Sequence, residues 1–96
     1  MITGTTKSGF SFRLTDGITR DFRFLRACKK LRSPDATQQL DGAMELVSAV
    51  FADDAEEERF LLHVAGGRGR ADIETVYREL GEIIAKASED ADTKKS

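Results

Sequence analysis

The feature that most constrains the fold is one apolar stripe: Ile73, Val76, Tyr77, Leu80, Ile83, Ile84 and Ala87 recur at three- and four-residue steps and share one face of a helix. Such a face must be covered. In a chain of 96 residues the cover has to come from most of the remaining sequence, so one domain with a thin core is expected. Asp72 stands at the cap position of this helix. Before it, Gly66-Gly67-Arg68-Gly69-Arg70 must end the preceding element, because glycine costs about 1 kcal/mol against alanine inside a helix and is favoured just past its end. From Ser88 the residues are small or charged, which predicts a domain over residues 1–87 and a flexible tail over 88–96.

The rest of the chain offers that cover. Phe10, Phe12 and Leu14 alternate with Ser11 and Arg13 after a Thr-rich stretch and Lys7-Ser8-Gly9, which predicts a β-hairpin over 1–15. Two strands are not stable alone in water, so the Phe10, Phe12 and Leu14 face should lie on helices. Thr19 is placed to cap a helix with Phe22, Leu25, Cys28 and Leu31 at helical spacing, broadened by Phe24. Ser33-Pro34-Asp35 reads as a cap, a first-turn proline and a dipole-favoured acid, ahead of a stripe of Leu40, Ala43, Met44, Val47, Val50 and Phe51. A third helix follows, with acids in its first turn and Phe60, Leu61 and Val64 as its apolar side. The predicted fold is therefore mainly α: an N-terminal β-hairpin packed on a compact bundle of about four helices.

Charge is unevenly distributed. Residues 1–32 hold eight Lys or Arg against Asp16 and Asp21, whereas residues 33–65 hold eight acids against Arg59. The candidate partner-binding residues are thus Arg20, Arg23, Arg26 and Lys30 on the basic first helix and Asp54, Glu57 and Glu58 on the acidic third, with Arg68 and Arg70 in the glycine turn. No apolar run approaches the roughly 20 residues of a membrane span, and Met1-Ile2-Thr3-Gly4 lacks a signal-peptide pattern, so a cytoplasmic location is expected.

No set of residues carries catalysis, a metal or a cofactor, and the chain is read as a non-enzyme without cofactors. Cys28 is the one cysteine and lies on an apolar stripe, which makes it a core residue. His63 has no second histidine for a metal and reads as structural. Gly4-Thr5-Thr6-Lys7-Ser8 resembles a phosphate-binding loop but has Thr6 where the second glycine belongs. The acids from Asp53 to Glu58 lack the alternating ligands and central glycine of a calcium loop. The rival to a protein-binding role is a small DNA-binding regulator that uses the basic first helix, and the net charge of −2 weighs against it.

Taken in order, Gly4-Thr5-Thr6-Lys7-Ser8-Gly9-Phe10-Ser11-Phe12, Asp21-Phe22-Arg23-Phe24-Leu25, Gly67-Arg68-Gly69-Arg70 before Ile73-Glu74-Thr75-Val76, and the Lys95-Ser96 end resemble a family of phage tail assembly chaperones. Phages and prophages with long, flexible, non-contractile tails encode them. The resemblance covers almost the whole chain, although each motif is individually weak and none is catalytic. The family more usually has acids flanking its first helix, where this chain has Arg20, Arg23, Arg26 and Lys29, and it commonly has Val-Pro before the last helix, where this chain has Arg70-Ala71. The resemblance implies a protein of the host cytoplasm, outside the mature virion, that coats and solubilises the tape measure protein and helps tail tube subunits polymerise around it. It implies neither a nucleic-acid nor a membrane partner and leaves a homo-oligomer open. Members often exist in a second, longer form made by ribosomal slippage. Thr93-Lys94-Lys95 fits a slippery codon run as well as it fits an ordinary solvated terminus.

Overall fold

The alternating start of the chain pairs with itself. β1 (Ile2–Thr5) and β2 (Ser11–Leu14) form an antiparallel hairpin with Ile2 opposite Leu14 and Gly4 opposite Phe12. Because side chains alternate across a strand, Ile2, Phe12 and Leu14 point inward and are buried, while Thr3, Thr5, Ser11 and Arg13 are exposed. The computed structural model describes residues 1–51 and 53–95, with the side chains of Arg68 and residues 90–95 outside the description.

Four helices follow, α1 (Phe22–Leu31), α2 (Ala36–Val50), α3 (Asp54–Ala65) and α4 (Ile73–Lys95), and the hairpin packs on them, so the molecule is mainly α as expected. Each helix starts at an aspartate. Asp21 accepts hydrogen bonds from the Arg23 and Phe24 amides at 2.8 and 3.2 Å and is the cap of α1. The expected cap, Thr19, lies instead in a short 3-10 turn (Ile18–Arg20). Asp35 caps α2 through the Thr37 amide, so Pro34 precedes the cap and does not occupy the first helical position; the Ser33 hydroxyl accepts from the Asp35 amide. Asp53 caps α3 through the Glu56 amide, and Asp54, Glu56 and Glu57 lie in the first turn, where the helix dipole favours acids. Asp72 receives the Glu74 amide at the start of α4, as the sequence predicts. The glycine turn closes α3, with Gly66 and Gly69 at φ 56 and 74, a region that suits residues without a Cβ.

One core joins all of these elements. Its aromatic centre is Phe10, with ring centroids 5.2 Å from Phe60 and 6.1 Å from Phe51; Phe51 and Phe60 are 5.0 Å apart. Beneath them α4 contributes Val76, Leu80, Ile83 and Ala87, all buried, with Tyr77 and Ile84 at the rim. Ile73, expected on this face, is exposed.

Three expectations need correction. On α1 the buried residues are Phe24, Ala27 and Cys28, with Leu31 packed at the edge, while Phe22 and Leu25 are 74% and 50% exposed. Residues two apart on a helix point about 200° apart, so Phe22 and Phe24 cannot both face inward. The stripe that continues through Ala27 and Leu31 is the one that packs. On α2 the buried set is Gly42, Ala43, Leu46, Val47 and Val50, and Leu40 and Met44 are exposed. Gly42 decides that rotation. A Cβ there would lie 2.7 Å from the Leu31 amide nitrogen and 2.9 Å from the Ala27 carbonyl oxygen, so α1 and α2 meet backbone to backbone at this point. Finally, α4 does not end at Ala87. That residue is the last buried one among the described side chains, as expected, but the helix runs through Lys95, because Ser88 to Lys95 contain neither glycine nor proline to stop it. Thr93 to Lys95 therefore belong to a helix by backbone, and Ser96 lies outside the described residues.

Candidate partner-binding surface

α1 is the most cationic element. Its ten residues include Arg23, Arg26, Lys29 and Lys30 and no acid; Asp21, at the cap, is the nearest on the N-terminal side. Lys29 and Lys30 are in the last turn, where positive charge favours the helix dipole. Arg23 is in the first turn, where it does not. Three of the expected partner-binding cations are engaged within the fold: Arg23 Nε lies 3.9 Å from the Asp21 cap carboxylate, and Arg26 and Lys30 meet α2. Glu45 of α2 receives Arg26 Nε at 3.0 Å and Lys30 Nζ on its other oxygen, which locks the two helices together. The Lys30 hydrogen bond, with the nearby positive charges, holds the Glu45 carboxyl below its ordinary range. The Arg26 guanidinium also lies 5.9 Å from the centroid of the Phe22 ring. Arg20, Arg23 and Lys29 are exposed.

The acidic side is placed separately. Asp54 and Glu58 are exposed on α3, while Glu57 is half-buried and accepts weakly from the Ser48 hydroxyl at 3.4 Å. Leu62, four residues beyond Glu58, is exposed. Arg70 is exposed in the turn after α3, and the Arg68 side chain lies outside the described residues. Among the described residues, the expected charged side chains are spread over α1 and the 3-10 turn before it, α3 and the turn after α3.

Exposed large apolar side chains were not anticipated from the sequence. Phe22 and Leu25 are three residues apart and share a side of α1. Leu40 and Met44 share a side of α2. Leu25 lies two residues from Ala27, and Leu40 and Met44 lie two residues from Gly42, and these inner residues are where the helices touch. Each pair therefore points away from the seam, and the two pairs form separate surfaces. The signal was in the sequence, since Phe22 and Leu25 compete with Phe24 and Ala27 for one core-facing side.

A second polar cluster ties the hairpin turn to α3 and α4. Glu79, only 2% exposed, accepts from the Thr6 hydroxyl at 2.7 Å and the Ser8 hydroxyl at 2.8 Å on the same oxygen. Ser8 Oγ is also 2.9 Å from His63 Nε2. A serine thus lies within hydrogen-bonding distance of both a histidine and an acid. Ser8 donates to Glu79 and lies 3.1 Å from the Thr6 hydroxyl, and the direction of its bond to His63 is set by the imidazole tautomer. The cluster is a fastening: it satisfies a buried carboxylate and pins the turn. Glu79 was legible, because it lies three residues after Val76 and four before Ile83 on the buried stripe. Beside it, Arg59 Nη2 donates to the Ser11 carbonyl at 2.7 Å and its guanidinium lies 4.5 Å from the Phe10 ring centroid, holding β2 to α3.

Cys28 is buried, and burial pushes its thiol above the usual range, the direction of an unreactive group. Among the described residues no group of three or more His, Cys, Asp or Glu is placed to hold a metal ion, and no helix is long and apolar enough to cross a membrane. Set against known protein families, curated proteins and solved structures, the chain finds no match in any of the three comparisons.

Proposed function

We propose that this chain is a phage tail assembly chaperone that binds and solubilises the tape measure protein in the host cytoplasm. It helps recruit tail tube subunits and is absent from the finished tail. On this reading it acts by association, not as an enzyme, and needs no cofactor, nucleic acid or membrane. The observation that carries the proposal is the exposure of Phe22 and Leu25 on a domain whose other apolar side chains are largely packed into one core. Clustered exposed apolar side chains mark a surface made for a protein partner, and an elongated helix-rich chain offers amphipathic helices that suit it. The ordered motifs shared with tail assembly chaperones support the same reading, and their departure from that pattern around α1 locates the difference on this surface.

The test is co-expression with the product of the long, helix-rich reading frame expected immediately downstream. The proposal predicts that the tape measure segment stays soluble with this chain and aggregates without it; insolubility in both cases would overturn it. The density of cations on α1 favours one other reading, a small DNA-binding regulator. That reading predicts a sequence-tolerant shift of duplex DNA that weakens steeply with salt.

A further inference from the structure

We infer that the outward side of α1 is a docking face for an acid-rich amphipathic helix of another protein, with Phe22 and Leu25 as the apolar anchors. The inference rests on the protein-binding reading above and specifies the chemistry of the partner segment. Three observations lead to it. First, Phe22 and Leu25 lie on the side of α1 turned away from α2, so neither the core nor the neighbouring helix covers them. Secondly, the rim around them is mainly cationic, with Asp21 at the cap as a nearby acid. Arg26 is four residues after Phe22, Lys29 is four after Leu25 and Arg32 is seven after Leu25, which places all three along the same side of the helix. Arg26 is shared with Glu45 of α2, whereas among the described residues no ion pair holds Lys29 or Arg32. Thirdly, Arg23 sits in the first turn with its side chain 72% exposed and only a long 3.9 Å contact to the Asp21 cap carboxylate, which leaves its guanidinium able to receive a partner's acid.

The fold already contains one example of this recognition. Glu45 of α2 is held between Arg26 and Lys30, an acid from one helix received by a pair of cations four residues apart on the next. On the outward side the same arrangement is offered to a partner. A helix with leucines along one seam would lay that seam on Phe22 and Leu25, and glutamates flanking the seam would reach Arg23, Lys29 and Arg32. A phosphate backbone would satisfy the cations but would leave the two apolar side chains at the centre of the face without a counterpart, so the partner chemistry is peptide rather than nucleic acid.

The test uses the whole chain and two synthetic helical peptides with the same leucine seam, one flanked by glutamates and one by lysines, titrated by fluorescence anisotropy. The glutamate peptide is expected to bind at least about tenfold tighter than the lysine peptide, and the preference should shrink as salt rises. Phe22→Ser with Leu25→Ser should weaken the glutamate peptide by at least about tenfold while circular dichroism melting stays near that of the parent, since both side chains are exposed. Lys29→Glu with Arg32→Glu should abolish or invert the preference. Equal binding of both peptides, retention of binding by the Phe22/Leu25 variant, or tighter binding of a 20-base-pair duplex than of the glutamate peptide would each overturn the inference. So would a change of oligomeric state in the Phe22/Leu25 variant on sedimentation, which would assign the face to a second copy. If the tape measure segment is kept soluble but the peptides fail, this docking face falls and the chaperone reading stands. If the peptides bind and the segment does not, the reverse holds.

Discussion

The two halves of the molecule handle their apolar residues differently. In the half made of the hairpin, α3 and α4, most large apolar side chains turn inward: Phe10, Phe12, Leu14, Phe60, Leu80 and Ile83 are all buried, and Met1, Leu62 and Ile73 are left outside. In the α1–α2 half, four large apolar residues, Phe22, Leu25, Leu40 and Met44, remain on the surface while small ones, Ala27, Gly42 and Ala43, occupy the seam. The first half is built around aromatic volume; the second is built around close backbone approach, which leaves no room for large side chains between the helices. Apolar surface is thus spent on stability in one half and kept available in the other.

The largest effect should come from the aromatic and aliphatic half. Leu80 is fully buried beneath the hairpin, and Leu80→Ala is expected to cost about 2–5 kcal/mol, readable as a lower midpoint in urea unfolding. A cost below about 1 kcal/mol would mean that this half is not the packed one.

In the other half the sensitive point is a residue with no side chain. Gly42→Val would place carbon within 3 Å of the Leu31 amide, Lys30 Cβ and the Ala27 carbonyl, so α1 and α2 must part. The expected destabilisation is about 1–3 kcal/mol, in spite of the roughly 0.3–0.5 kcal/mol that valine gains over glycine in helix propensity. A stabilised variant would show that the seam is looser than backbone contact.

The smallest of the structural effects belongs to the fastening. Glu79→Ala removes the 2.7 Å acceptor of the buried Thr6 hydroxyl and leaves it the Ser8 hydroxyl at 3.1 Å, while Ser8 is exposed and water can replace its lost bond. The cost should therefore fall near the lower end of the range for an orphaned polar group, about 1 kcal/mol. Amide exchange should rise in the Thr6 to Phe10 turn before it rises in α1.

The same contrast decides what was legible in the sequence. Strict alternation at Phe10, Phe12 and Leu14, the α4 stripe from Val76 to Ala87 and the acids opening α3 each fit one arrangement, which the structure has. Around α1 the sequence supplies two overlapping stripes, one through Phe22 and Leu25 and one through Phe24, Ala27 and Leu31. Periodicity does not choose between them, because the choice depends on Gly42, a residue far along the chain whose missing Cβ lets α2 approach. The candidate surface was hidden for the same reason: its anchors were assigned to the core. The cations of α1 were visible, but the sequence could not show that Glu45 engages Arg26 and Lys30, since that pairing spans the α1–α2 turn. The length of α4 does not follow from composition: the residues after Ala87 are small or charged like those of a tail, yet none of them breaks a helix.

The central claim is that the two sides of α1 do different work, Phe24 holding the fold and Phe22 facing a partner. Thermal unfolding of Phe24→Ala and Phe22→Ala, measured side by side, tests it most directly. At about 3–5 kcal/mol for a buried phenylalanine and about 4–8 °C per kcal/mol for a domain of this size, Phe24→Ala should melt at least about 10 °C below the parent or fail to fold. Phe22→Ala should stay within about 0.5 kcal/mol of it, a shift of a few degrees at most. Equal losses from both variants, or a greater loss from Phe22→Ala, would place Phe22 in the core and contradict the account.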